Sequence, residues 1–160
     1  RKAFGLAVGL SVSENSVMAN LDEFTSGGFV KRKKANQVTR EYVDKLSIKT
    51  PSVNQLIKNL SGGNQQKVVI AKWLIKNCSI LIFDEPTRGI DVGAKSEIYH
   101  LMGDLVKMGK SIIMISSEMP ELLRMSDRLV VMSEGRVTGE LDIAEATQER
   151  IMTLATMAMS

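Results

Sequence analysis

The residues with the clearest chemical use lie between Leu60 and Asp91, in LSGGNQQKVVIAKWLIKNCSILIFDEPTRGID. A Ser-Gly-Gly turn (Ser61, Gly62, Gly63) precedes an apolar stretch with helical character, and two adjacent carboxylates, Asp84 and Glu85, follow a short hydrophobic run. The first group suits phosphate. A helix N-terminus carries unpaired N–H groups and the positive end of the macrodipole. Glycines let backbone approach a ligand closely, and a serine hydroxyl can donate to a phosphate oxygen or cap the helix. The second group suits phosphoryl chemistry, with one carboxylate to hold Mg²⁺ and the next to polarise a water.

These groups need particular elements behind them. The signature helix is expected over about 63–76 and a strand over 79–83. Ile80-Leu81-Ile82-Phe83 is short, continuous and apolar, the pattern of a strand buried on both faces of a parallel sheet. Ligands of such sheets bind beyond the carboxyl ends of the strands, where Asp84 and Glu85 stand. Unpaired charge ending a buried strand is costly unless it serves a purpose.

LSGGNQQK resembles the signature motif of ABC-type ATPases. ILIFDEP resembles their Walker B strand with its adjacent glutamate, and Gly89 to Asp91 resembles their D-loop. Together with DEPTRGIDVGAK and SSEMPE, the chain most resembles the second ATPase half of tandem subunits that drive bacterial importers of ribose-, galactose- or xylose-type sugars. The likeness covers nearly the whole chain. It implies an α/β fold: a partial P-loop NTPase core with a mostly parallel sheet and a helical subdomain. Residues 1–60 would form the Q-loop tail (Arg1-Lys2) and that subdomain, and residues 61–160 the core segment. ATP and Mg²⁺ are the implied ligands. Asp84 would orient the metal through water, Glu85 would be the general base, and Ser61, Gly62, Gly63, Asn64 and Asp91 would face nucleotide. Implied partners are a first ATPase half, transmembrane permease subunits and, indirectly, a periplasmic sugar-binding protein. The place of work would be the cytoplasmic face of the inner membrane.

Three departures stand out. Asn64 replaces the Gln usual at the fifth signature position but keeps an amide. Ser117 stands where the family's switch histidine would be, and a serine cannot supply a cationic donor. No G-x-x-x-x-G-K-[ST] phosphate loop occurs in the 160 residues, nor does the strand that would carry it. In this family the signature of one half closes over ATP held by the other. Ser61 to Gly63 are therefore expected to act in trans, while Glu85 and the degenerate Ser117 would serve this half's own site.

Composition agrees with one domain having an aliphatic, Met-rich core, with 44% hydrophobic and only 4% aromatic residues. A net charge of +3 without aromatic-basic alternation gives no nucleic-acid surface. No stretch reaches the roughly 18 apolar residues of a membrane span, so membrane contact is expected only through partners. The chain opens on Arg1 without an initiator Met or visible signal peptide, which reads as a segment. Cys78 reads as a buried structural thiol and His100 as a partly exposed helix residue. The run Lys31 to Lys34 reads as a solvated helix face.

Other elements follow from periodicity and punctuation. Helices are expected over 16–24, 35–46 (stopped by Pro51), 92–108 (ended at Gly109), 120–124 and 144–155 (capped by Asp142), with another helical turn within 53–58. Strands are expected at 111–115, 129–132 and 136–141, the last two joined at Glu134-Gly135. Two other functions compete. One is a soluble ATPase of the same superfamily acting on ribosomes or DNA, although translation factors resemble DEPTNHLD and chromosome-maintenance ATPases replace the proline. The other is a non-catalytic interaction module, the expected behaviour of 160 residues that lack a phosphate loop.

Overall fold

The computed structural model describes residues 5–157, so the expected Q-loop tail at Arg1-Lys2 lies outside the described residues. The order of the main elements is α1 (Val12–Val17), β1 (Thr25–Ser26), β2 (Phe29–Val30), α2 (Arg32–Lys45), α3 (Gly62–Ile75), β3 (Ile80–Asp84), α4 (Val92–Lys107), β4 (Ser111–Ile115), α5 (Met119–Met125), β5 (Arg128–Ser133), β6 (Arg136–Asp142) and α6 (Gln148–Ala155). The chain forms two compact units, residues 1–81 with 87–113 and residues 82–86 with 114–160.

The first unit is helical. α1 begins earlier than its apolar pattern suggested, because Ser11 and Glu14 form a reciprocal capping box. A 3-10 stretch over Met18–Phe24 then replaces the expected helix. Val17, Phe24 and Ala35 pack together with Val38 and Ile75 around them. α2 ends where expected, at Leu46, but begins earlier, at Arg32, and Pro51 is not what stops it. Leu46 is its C-cap, Ser47 takes a φ of 47°, and the amides of Ser47 and Ile48 return to the carbonyls of Asp44 and Val43. That closes a Schellman motif, so the helix is stopped by its own C-terminal bonds before proline can act. The helical turn expected over 53–58 is not formed there: a 3-10 turn covers Ile57–Asn59, and Leu56 before it makes an isolated bridge with Ser11. α4 ends as expected: Gly109 has a φ of 81°, and the amides of Gly109 and Lys110 return to the carbonyls of Val106 and Leu105.

β3 and β4 pair with each other. The amide of Ser111 donates to Ser79 O and the amide of Glu85 to Ile115 O, so the two strands run in the same direction. Burial on both faces is not observed. Leu81 and Phe83 are buried, whereas Ile80 is exposed and Ile82 is 68% exposed. Ile113 and Ile115 on β4 are also exposed, so the described residues cover one face of the pair and leave an isoleucine-rich face open.

The second unit centres on an antiparallel hairpin, β5 with β6, joined by Glu134 and Gly135 at φ 49° and 80°. Two positive φ values in succession make the type I′ turn expected there. Leu129, Val131, Leu141 and Ile151 form its core. A Cβ on Gly139 would lie 2.7 Å from Leu154 Cδ1, so the missing side chain lets α6 settle on the hairpin. α6 starts later than expected. Thr147, not Asp142, caps it, because Asp142 opens a separate 3-10 turn over Ile143–Glu145 with no side-chain cap.

Candidate functional site

The signature residues start α3. Ser61 is extended (φ −61°, ψ 158°) and its Oγ accepts from the amide of Asn64 at 3.4 Å. The same oxygen accepts from Asn64 Nδ2 at 2.9 Å. Asn64 Oδ1 in turn accepts from the amide of Lys49 at 2.7 Å. The amide at this position therefore uses both ends, joining the serine cap to the preceding loop. Gln65 is buried and donates through Nε2 to Ile57 O (3.1 Å) and Leu60 O (3.0 Å). Gly63 is needed for packing as well as for ligand approach, since a Cβ there would lie 3.1 Å from Ala94 Cβ on α4. Asp91 caps α4 by accepting from the amide of Ala94 at 2.9 Å. Ser61 to Asn64 and Asp91 thus all belong to the first unit.

Asp84, Glu85 and Ser117 belong to the second. Asp84 ends β3 and is exposed, so the desolvation cost argued from the sequence does not fall on it. Phe83 beneath it is buried, but the pleat turns successive side chains to opposite faces. Glu85 is half-buried, and its Oε1 accepts from the amide of Ser117 at 3.0 Å. Its own amide donates to Ile115 O at 2.8 Å. Its φ is 46°, a left-handed conformation that costs an L residue roughly 1–2 kcal/mol. Strain of this kind often marks a functional position. Ser117 is exposed and bonds Glu85 through its backbone, so this contact does not depend on which side chain occupies position 117. Nearby, buried Glu121 accepts from Ser116 Oγ, which also accepts from the amide of Glu118 at 3.0 Å.

Sequence reasoning missed Gln65, Lys67, Glu97 and Glu121. Lys67 is buried yet charged, and its Nζ lies 2.9 Å from Glu97 Oε2. That ammonium, by hydrogen bond and by charge, holds the Glu97 carboxyl below the usual glutamate range. In the sequence Lys67 is one lysine of a helical stretch, with nothing to mark its partner. The buried place expected of Cys78 is not observed, whereas His100 lies on a helix as expected. Cys78 is half-buried, not buried, because it follows the C-terminal turn of α3. His100 is exposed and its Nδ1 lies 2.7 Å from Ser96 O, a local helix contact.

Among the described residues no group of three or more His, Cys, Asp or Glu side chains could hold a metal. Mg²⁺ keeps much of its water and takes one or two carboxylates plus phosphate oxygens. An exposed Asp84 at the end of a strand could be one of those carboxylates. Among the described residues no helix is long and apolar enough to cross a membrane.

The described residues thus hold a strand ending at adjacent carboxylates and a serine-capped helix start. The ABC transporter family model matches residues 2–88, and the chain belongs to that family. It is 58% identical over 161 residues to a Burkholderia ambifaria protein provisionally named a ribose/galactose/methyl galactoside import ATP-binding protein, covering 100% of this chain and 31% of the relative. A Geobacillus kaustophilus protein of the same provisional name is 58% identical over 156 residues, covering 98% of this chain and 31% of its own length. The chain thus spans about a third of the relatives it matches. Among solved structures, a dimeric ATP-binding cassette in a post-hydrolysis state with ADP and Pi aligns with a TM-score of 0.70 at 23% identity, covering 89% of this chain and 61% of that one. A transporter provisionally of metal-chelate type, in an inward-facing conformation, aligns at 0.81 with 18% identity, covering 95% and 60%. The fold is that of an ATP-binding cassette.

Proposed function

We propose that this chain is the later part of an ATPase subunit that energises import of a monosaccharide, and that its main contribution is the signature turn, presented in trans to ATP held by another ATPase half. Permease subunits would carry the sugar, with a periplasmic binding protein delivering it, and the ATPase would sit at the cytoplasmic face of the inner membrane. The observation that carries the reading is the division of the candidate residues. Ser61 to Asn64 and Asp91 lie in one compact unit and Asp84, Glu85 and Ser117 in the other, a division that accords with two half-sites. Similarity to proteins named for sugar import supports the substrate class.

Within this reading each residue has a stated task. Ser61 keeps its hydroxyl proton outside the two bonds its oxygen accepts, so it can donate to a phosphate oxygen. Gly62 and Gly63 leave the helix start open to a ligand. Asp84 holds Mg²⁺ through water, and the metal when bound neutralises phosphate charge. Glu85 would orient a water, but with its carboxylate already accepting from Ser117 and no histidine at position 117, it is the lesser contributor.

The test is made in the full-length subunit carrying this chain. Ser61→Arg should lower ATP hydrolysis by about 100-fold or more, the scale of losing a preorganised donor. Glu85→Gln should leave hydrolysis within a few-fold of the parent. The opposite pattern would refute the trans-signature reading. The isolated 160 residues have no phosphate loop and should bind no ATP at micromolar concentration; tight binding of labelled ATP would contradict this.

A further inference from the structure

The signature helix carries a buried charged group with no part in binding or hydrolysis proposed for it. Lys67 lies on α3, four residues beyond Gly63, and is only 5% exposed. Its Nζ donates to Ser47 O at 3.0 Å and pairs with Glu97 Oε2 at 2.9 Å. Burying an ammonium is costly unless it is paired and hydrogen-bonded, and an apolar residue of similar volume would often give equal or greater stability. Bulk packing therefore does not account for a lysine here, whereas two directed bonds do. One bond fixes α3 to the left-handed turn that ends α2. The other fixes α3 to α4.

A second contact lies one turn away. A Cβ on Gly63 would come within 3.1 Å of Ala94 Cβ. Gly63 and Lys67 are four apart on α3, and Ala94 and Glu97 are three apart on α4, so each pair lies on one helix face. The starts of α3 and α4 therefore run side by side, with close backbone approach at one turn and an ion pair at the next. At the head of this seam stand the Ser61 cap on α3 and the Asp91 cap on α4.

We propose that Lys67 is a positioning residue for the composite ATP site: through Glu97 it holds the N-terminal end of α4, with Asp91, against the signature turn, so that both motifs meet a nucleotide as one body. This rests on the trans role proposed for the signature. A single contact at Gly63 would leave α4 free to swing about that point. The ion pair removes this freedom.

The experiment uses the full-length subunit. Glu97→Ala leaves the buried Lys67 ammonium without its carboxylate, so Lys67→Met, which removes that charge, is made beside it and the urea midpoint of each variant is read with its rate. Glu97→Ala and Lys67→Met should each lower kcat for ATP hydrolysis by about tenfold, the order of loss expected from a modest misplacement. ATP affinity without turnover should stay within about twofold of the parent. The double variant should lose no more than either single one, because both break the same link. Lys67→Arg, which keeps two directed donors, should retain most of the rate. A kcat within about twofold of the parent in Glu97→Ala, additive losses in the double variant, or a kcat loss matched by weaker ATP binding would each overturn the proposal. A parent subunit that hydrolyses no ATP, or a Ser61→Arg variant with full activity, would instead refute the trans-signature reading, and the positioning role would fall with it.

Discussion

The signature end and the switch end of this chain are built in different ways. Ser61 to Asn64 are held by side chains: the serine cap, both ends of the Asn64 amide, a buried Gln65 and the Lys67–Glu97 pair. Asp84 to Ser117 are held mostly through backbone groups: a strained φ at Glu85, its amide on Ile115 O and the Ser117 amide on the Glu85 carboxylate, with Ser116 Oγ bonded to Glu121 beside them. The first arrangement has several independent constraints at the helix start. The second has few, and its carboxylates are partly or fully open to solvent. A surface that must present one fixed shape to a nucleotide gains from the former. A surface that changes contacts during turnover gains from the latter.

The largest expected effect lies at the signature end. Gly63→Val forces methyl groups into the 3.1 Å approach to Ala94 and should destabilise the chain by about 1–3 kcal/mol, read as a lower urea midpoint. Ala94→Gly in the same chain should recover part of the loss. No recovery would mean that the close approach is not what position 63 is built for.

A smaller effect of opposite sign belongs to the switch end. Glu85→Gly relieves a φ of 46° and should stabilise the chain by about 1 kcal/mol, even though it removes the contact to Ser117. A destabilised Glu85→Gly would show that the carboxylate, and not the backbone, holds this turn. The two ends would then be alike.

The smallest effect is on pH dependence. The Ser11 hydroxyl and amide donate to Glu14 and depress its pKa below 4.5, and Lys67 does the same for Glu97. For a carboxyl depressed in the fold, the stabilisation is fully present above its unfolded value and is lost as pH falls through the folded value. Urea midpoints should therefore decline as pH drops below about 4.5, and Glu14→Gln should flatten part of that slope.

Much of the fold was legible because local rules agreed with the final packing. The Glu134-Gly135 hairpin, the Gly109 stop, the serine-capped signature helix and strands at 80–84 and 111–115 all follow from short-range chemistry. Misses came where local cues competed. Ser11 and Glu14 started α1 ahead of its apolar pattern, the turn at Ser47 and not Pro51 ended α2 at its expected place, and Thr147 displaced Asp142 as the cap of α6. A backbone that can satisfy its end groups early does so. The two-sided burial expected of β3 failed because a continuous apolar run does not say how many faces find cover.

The sequence by itself determined which chemistry was available. Residue type and spacing pointed to Ser61, Gly62, Gly63, Asp84 and Glu85, whereas Asn64, Asp91 and Ser117 came with the resemblance to ABC-type ATPases. Only the tertiary structure decided how these residues are grouped and braced. Lys67, Glu97 and Ser47 are separated along the chain and come together only when three helices pack, so no local pattern can announce them. The Leu60–Asp91 stretch reads as one continuous motif, yet its signature turn and its carboxylates fall into two compact units. Sequence neighbours share a covalent chain, but the division into units depends on which side chains bury one another.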